Sequence, residues 1–306
     1  MTTHSIDTKP SSAIAGLATL LLFSAVMLSP AHSKAAETAP LSLPSLSPAQ
    51  AAWLGERVFA NECASQPSCL TSWNAGEDFP SLGIGHFIWY QRGQQEIFEE
   101  TFPDLLAHLD ARGVALPQWL KTPSPADDRQ QPQNSAPQHS IAAEAESPWA
   151  NRDAFYADID SDRMRELRDL LANTQAEQAE FIVRRLSLSI PGISAAADDS
   201  AEIGARITRI ASASPPFGLY ALIDYVHFKG TGLAAGERYR GQGWGLLQVL
   251  EAIDESQPPI EGFAAAAKRV LSTRVSNAPS ERREQRWLAG WHNRLDTYTD
   301  FNLAPN

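Results

Sequence analysis

The stretch from Asn61 to Tyr90, NECASQPSCLTSWNAGEDFPSLGIGHFIWY, limits most tightly what this chain can fold into. It joins the end of a helical pattern to an apolar, strand-like run, Leu82 to Tyr90, through a polar segment that contains glycine. That is the layout of a cleft between a helix end and a hairpin. Upstream, Ser47 reads as an N-cap with Pro48 in the first turn, and Trp53-Leu54, Val58-Phe59 and Glu62 recur at helical spacing. Glu62 therefore falls in the last turn. The chain's two cysteines, Cys63 and Cys69, follow it directly. In an exported protein they form a small-loop disulfide that fixes the backbone leaving the helix; otherwise they are two free thiols near a helix end. A metal site is not expected, because two cysteines without a close histidine make a poor zinc site and His86 stands apart.

A carboxylate at the end of a helix faces the negative pole of the helix dipole, which favours the protonated acid. Glycoside hydrolysis needs one such acid to hand a proton to the leaving oxygen, and often a second carboxylate nearby. Glu62 is the candidate for the first role. Glu77 and Asp78, on the segment leading into the strand, are candidates for the second. Ser81 and His86 complete the catalytic and substrate-facing set. The bland alternative for Glu62 is an ordinary exposed glutamate.

Taken in order, these residues resemble phage-type lysozymes, which carry a helix-end Glu, then an Asp and a Thr, then a Gly-Ile-Gly-His strand. Glu62, Ser81 and Gly83-Ile84-Gly85-His86 match that order. The interval from Glu62 to Gly83 is longer than in those enzymes. Asn74, Ala75 and Gly76 stand where the family's Asp falls, so Glu77 and Asp78 are displaced candidates. The resemblance implies a lysozyme-like α+β fold, mostly helical with a small β-hairpin near 81–90, and an enzyme that cleaves β-1,4-linked amino-sugar glycan.

A second informative stretch is Phe217 to Leu250. An apolar helix with Asp224 in its middle runs into a glycine-rich loop that carries Arg238, Tyr239, Arg240, Gln242 and Trp244. An aromatic group beside amides and guanidiniums suits a sugar surface, so Tyr239, Gln242, Trp244 and Gln248 are candidate substrate-binding residues. The run Gly245-Leu246-Leu247-Gln248 is similar to the Gly-Leu-Met-Gln of soluble lytic transglycosylases, whose catalytic Glu lies upstream; Asp224 or Glu237 would take that part here. The alternative is that Leu246, Leu247, Val249 and Leu250 are simply core. Asp224 within an apolar helix needs a partner, and Lys229 or Arg238 are the expected ones.

The remainder reads as support. Residues 1–33 hold the apolar run Ala13 to Leu28 followed by small residues, which is the pattern of a cleaved secretory signal; the run is shorter than the ~20 residues of a spanning helix. Residues 34–47 form a linker, and 48–306 one domain with a disordered insertion at 122–147 that is too poor in apolar side chains to pack. Helices are expected over Phe98 to Gly113 with an interruption at Pro103, after Ser161, from Thr174 to a stop before Pro191, over Ala201 to Ala213, and twice between Phe263 and Tyr298, the second capped by Ser280. Trp287 and Trp291 lie four apart, as core or as a stacking surface for sugar. The net charge of −11 is unchanged by removing 1–33, which hold one acid, Asp7, and one base, Lys9. Such a surface repels nucleic acid and anionic membranes and attracts a polycation such as chitosan.

The expected function is therefore a periplasmic or secreted enzyme cleaving amino-sugar glycan, most simply peptidoglycan, as a hydrolase or lytic transglycosylase, without cofactor or metal and without stable membrane insertion. The alternatives are a chitosanase-like hydrolase and a non-catalytic protein that binds glycan or a protein partner through the same cleft.

Overall fold

Helix α1 (Pro48–Cys63) opens on a capping box: Gln50 N–H donates to the Ser47 hydroxyl, and the Ser47 N–H donates to Gln50 Oε1 at 2.9 Å. Two orphan amides of the first turn are thereby satisfied. The helix stops where Ala64 (φ 48) and Ser65 (φ 55) turn left-handed. A short 3-10 turn, Pro67–Leu70, then brings Cys69 back to Cys63, and the two form a disulfide. The computed structural model describes residues 43–121 and 145–304. All of them fall in the unit Pro40–Asn306.

The small sheet follows at once. Strands β1 (Thr71–Ser72), β2 (Ser81–Leu82) and β3 (Phe87–Ile88) are antiparallel in that order, with Thr71 opposite Leu82 and Leu82 opposite Phe87. A continuous strand from Leu82 to Tyr90 is not what forms. Residues 83–86 make a tight turn between β2 and β3, with Gly83 at φ +69 and His86 at φ 48. Glycine adopts the left-handed conformation without a Cβ penalty, so the Gly-Ile-Gly-His run becomes the hairpin tip.

The remaining α-helices and strands of the described residues are α2 (Phe102–Ala111), α3 (Gln118–Lys121), α4 (Arg152–Ala157), α5 (Asp162–Asn173), α6 (Gln175–Ala195), α7 (Ser200–Ala211), α8 (Phe217–Lys229), a second hairpin of β4 (Arg238–Tyr239) and β5 (Gln242–Gly243), α9 (Leu246–Glu251), α10 (Pro259–Asn277) and α11 (Gln285–Asp296). Ser161 caps α5 as expected, accepting from Met164 N–H. Three boundaries differ from the sequence reading. Pro103 lies in the first turn of α2, where the missing N–H costs nothing, so it begins that helix instead of interrupting it. Helix α6 runs through Pro191 because Ile190 and Ile193, both fully buried, hold its last turn in the core. Ser280 starts a separate 3-10 turn, and Glu284 takes the N-cap position of α11.

Helix α8 is the central element. Its residues from Phe217 to Tyr225 are all buried, as expected of a helix that is apolar on every side, and α6, α7, α9 and α10 surround it. Helix α1 lies against α6, most closely at Gly55, where an added Cβ would meet the Gln175 carbonyl oxygen at 2.5 Å. The expected signal segment 1–33, residues 34–42 of the expected linker and residues 122–144 of the expected insertion lie outside the described residues. Residues 145–147 at the end of that insertion are held: Trp89 Nε1 donates to the Ala145 carbonyl at 2.8 Å and Ser147 N–H to the Tyr90 carbonyl at 2.9 Å. Among the described residues no helix is long and apolar enough to cross a membrane.

Candidate functional site

Four elements converge on Glu62. The carboxylate lies in the last turn of α1, whose exit is closed by the Cys63–Cys69 disulfide. Its Oε1 accepts from Nη2 of Arg294, on α11. Its Oε2 lies 3.6 Å from Nε2 of His227, in the last turn of α8. The His227 ring stacks on His86 of the hairpin tip, centroids 6.3 Å apart and planes 26° from parallel.

The polar core behind this site is Asp224, whose side chain is 1% exposed. The structure replaces the expected partners, Lys229 and Arg238, with Arg294. Arg294 grips Asp224 with both Nε (2.9 Å) and Nη2 (2.8 Å). Asn61 Nδ2 donates to Asp224 Oδ1 at 2.8 Å and the Tyr298 hydroxyl to Oδ2 at 2.6 Å. A buried carboxylate survives in an apolar helix only when its lone pairs are filled, and here four donor contacts fill them. Burial works against the charge of Arg294, but Asp224 first and Glu62 after it keep it firmly protonated. Burial, reinforced by Asp224, pushes the Tyr298 hydroxyl well above the usual tyrosine range, so it stays a donor.

Burial also lowers His227 below the usual histidine value; Glu62 opposes the shift, and His86 and Arg294 add to it. That shift favours the neutral imidazole. His227 and His86 line a groove of about 520 Å³ whose walls include Phe87, Phe98, Thr101 and Leu186. Glu62 does not line that groove; it meets His227, which does.

The hairpin tip is positioned from α6. Gln178, fully buried, accepts from Ile84 N–H at 2.9 Å through Oε1 and donates through Nε2 to the Leu171 carbonyl (2.7 Å) and the Thr174 hydroxyl (3.0 Å). Its amide carbonyl occupies the space a Cβ on Gly83 would need.

The other sequence candidates fall elsewhere. Glu77 and Asp78 line a separate depression with Gln91, Gln94 and Arg152, and the Glu77 carboxylate accepts from Asn74 Nδ2 at 3.1 Å. Ser81 is 5% exposed in the middle strand, its carbonyl bound by the Ser72 hydroxyl. Tyr239 donates to Glu284 at 2.9 Å and packs on Trp244. Trp244 is 6% exposed and lies under Arg274, whose guanidinium is 4.1 Å from the ring centre. Gln242 accepts from Asn277. Gln248 braces the loop, accepting from Gly245 N–H and contacting the Gly232 carbonyl. Glu62 and Asp224 thus share one partner, while Gln248 serves a different loop. Sequence reasoning did not single out His227, Arg294, Asn61, Tyr298 or Gln178 as site residues. The one usable signal was Asp224, which announced that a buried cation had to come from somewhere.

Comparison of the chain with protein-family models, with curated proteins and with solved structures returns no match.

Proposed function

We propose that this chain is an exported glycan-cleaving enzyme of lysozyme-like type, acting on β-1,4-linked amino-sugar polymer with Glu62 as the general acid. One arrangement supports the reading: a glutamate in the last turn of a disulfide-closed helix, flanked by Arg294 and a neutral His227, beside a hairpin tip whose histidine lines a groove. At rest the Glu62 carboxylate is paired with Arg294, so Glu62 takes up a proton before it gives one to the glycosidic oxygen as the bond breaks, and Arg294, already fixed by Asp224, then receives the carboxylate again. Because the donors are in place beforehand, charge that develops on Glu62 needs no reorganisation. His227, which lines the groove, flanks the acid at 3.6 Å.

Glu77 and Asp78 line a different depression. That favours the transglycosylase form, in which the substrate's own acetamido and hydroxyl groups replace a second carboxylate. Incubating purified protein with sacculi and analysing the soluble products tests this. The reading expects muropeptides with 1,6-anhydro ends; reducing ends would make it a hydrolase. The net charge of −11 favours a cationic polymer as the second reading. Oligomers released from chitosan but not from sacculi would reassign the substrate, and sacculus binding without any soluble product would make the protein a binder.

A further inference from the structure

The disulfide next to Glu62 has a third neighbour. The sulfurs of Cys63 and Cys69 and a ring nitrogen of His86 all lie within 4.8 Å of one another. His86 is far from the cysteines along the chain, but the hairpin tip brings it to the end of α1. Two thiolates and an imidazole are the donor set that zinc and other thiophilic ions select. Around a tetrahedral zinc ion, with Zn–S of about 2.3 Å and Zn–N of about 2.0–2.1 Å, such donors stand roughly 3.6–3.8 Å apart. On reduction the two sulfurs move apart to that spacing, and the His86 ring, within 4.8 Å of them, closes in. Cys63 and Cys69 lie on either side of a five-residue turn that already bends sharply through Ala64 and Ser65. His86 also lines the open groove, so water can complete a fourth position.

We propose that reduction of the Cys63–Cys69 disulfide converts this corner into a Cys₂His site for a thiophilic divalent cation, zinc in the first place. A dithiol gives two electrons and two protons to the disulfide and is itself oxidised to a cyclic disulfide. The two protein thiols then lose their protons as the ion binds. Oxidised protein has no thiolate to offer and binds no metal here. The redox state of this turn thus decides whether the corner is a covalent clamp or a metal clamp. The inference stands on the donor geometry alone and does not depend on the glycan reading.

The test uses the full chain, reduced with a phosphine and checked by far-ultraviolet circular dichroism, titrated with cobalt(II) as a spectroscopic stand-in for zinc. The reduced protein should keep its helical spectrum and bind one cobalt per chain with a thiolate-to-metal charge-transfer band, displaced by zinc. Oxidised protein and a Cys63→Ser, Cys69→Ser double variant should show no such band. His86→Ala should weaken binding by about tenfold or more, the scale on which even indirect supporting groups act. Unfolding on reduction, no cobalt uptake by the reduced chain, or a His86→Ala variant that binds as tightly as the parent would overturn the assignment.

Discussion

Glu62 and Asp224 accept hydrogen bonds from the same atom, Nη2 of Arg294, although one carboxylate belongs to the end of the first helix and the other to the middle of the buried one. The shared donor links a partly exposed acid to a closed polar core. Whatever holds Asp224 in place also fixes the cation that faces Glu62.

Asp224→Asn should therefore destabilise the fold. It keeps the shape but removes the charge that Arg294, Asn61 and Tyr298 were arranged around. Losing one member of a buried pair costs about 3–5 kcal/mol. Glu62 remains on Arg294 and should hold the loss near the lower end. Urea unfolding of the two proteins measures it, and a change within ~0.5 kcal/mol would mean that Asp224, Arg294 and Glu62 do not form a structural unit.

Gln178→Ala should loosen the hairpin tip. Ile84 N–H would be left buried without an acceptor, and the Leu171 carbonyl would lose its donor. An unsatisfied buried group costs about 1–3 kcal/mol. Amide hydrogen exchange at Ile84 should accelerate more than at helix α8, whereas uniform acceleration would indicate global destabilisation only.

Lys229 carries a pH signature. Its ammonium lies between the rings of Phe228 (3.7 Å) and Trp291 (3.6 Å). Burial first, then Arg274 and Arg294, pull it down to about 7 from 10.5, with Glu284 opposing. In that window the unfolded chain binds a proton that the folded chain does not. Stability from this group therefore rises as pH climbs from about 7 towards 10.5, and the penalty for charging is complete below about 7. Lys229→Met should remove the rise and make the protein more stable than the parent at neutral pH and below. Parallel stability curves for the two proteins between about pH 7 and 10 would show that Lys229 is not held in this state.

The fold was legible where local chemistry decides it. Ser47, Pro48 and Gln50 announce the start of α1, and Ser161 announces α5. The two cysteines, close in sequence and without another partner, announce their disulfide. The hairpin is legible too, but its tip reads as strand because Ile84 within it and Leu82 and Phe87 beside it are apolar, and the left-handed turn at Gly83 and His86 depends on Gln178 from a distant helix. The candidate site was half legible. Glu62 and His86 came from a local pattern. Arg294, His227 and Gln178 reach them only through tertiary packing, and no spacing rule connects residue 62 with residue 294. Asp224 shows the limit most plainly: its burial within an apolar helix demanded a partner, yet the nearest cations along the chain, Lys229 and Arg238, are occupied elsewhere, Lys229 between aromatic rings and Arg238 on the Gly232 carbonyl.

The role assigned to Glu62 is tested most directly by comparing glycan turnover by the parent and by Glu62→Gln, on sacculi and on chitosan, with melting temperatures measured on the same samples. Glutamine keeps an acceptor for Arg294 and the shape of the site but has no proton to give. Turnover should fall by about 10²-fold or more, the scale of lost general acid catalysis, while the melting temperature stays close to the parent's. A Glu62→Gln protein that retains full activity would contradict the account.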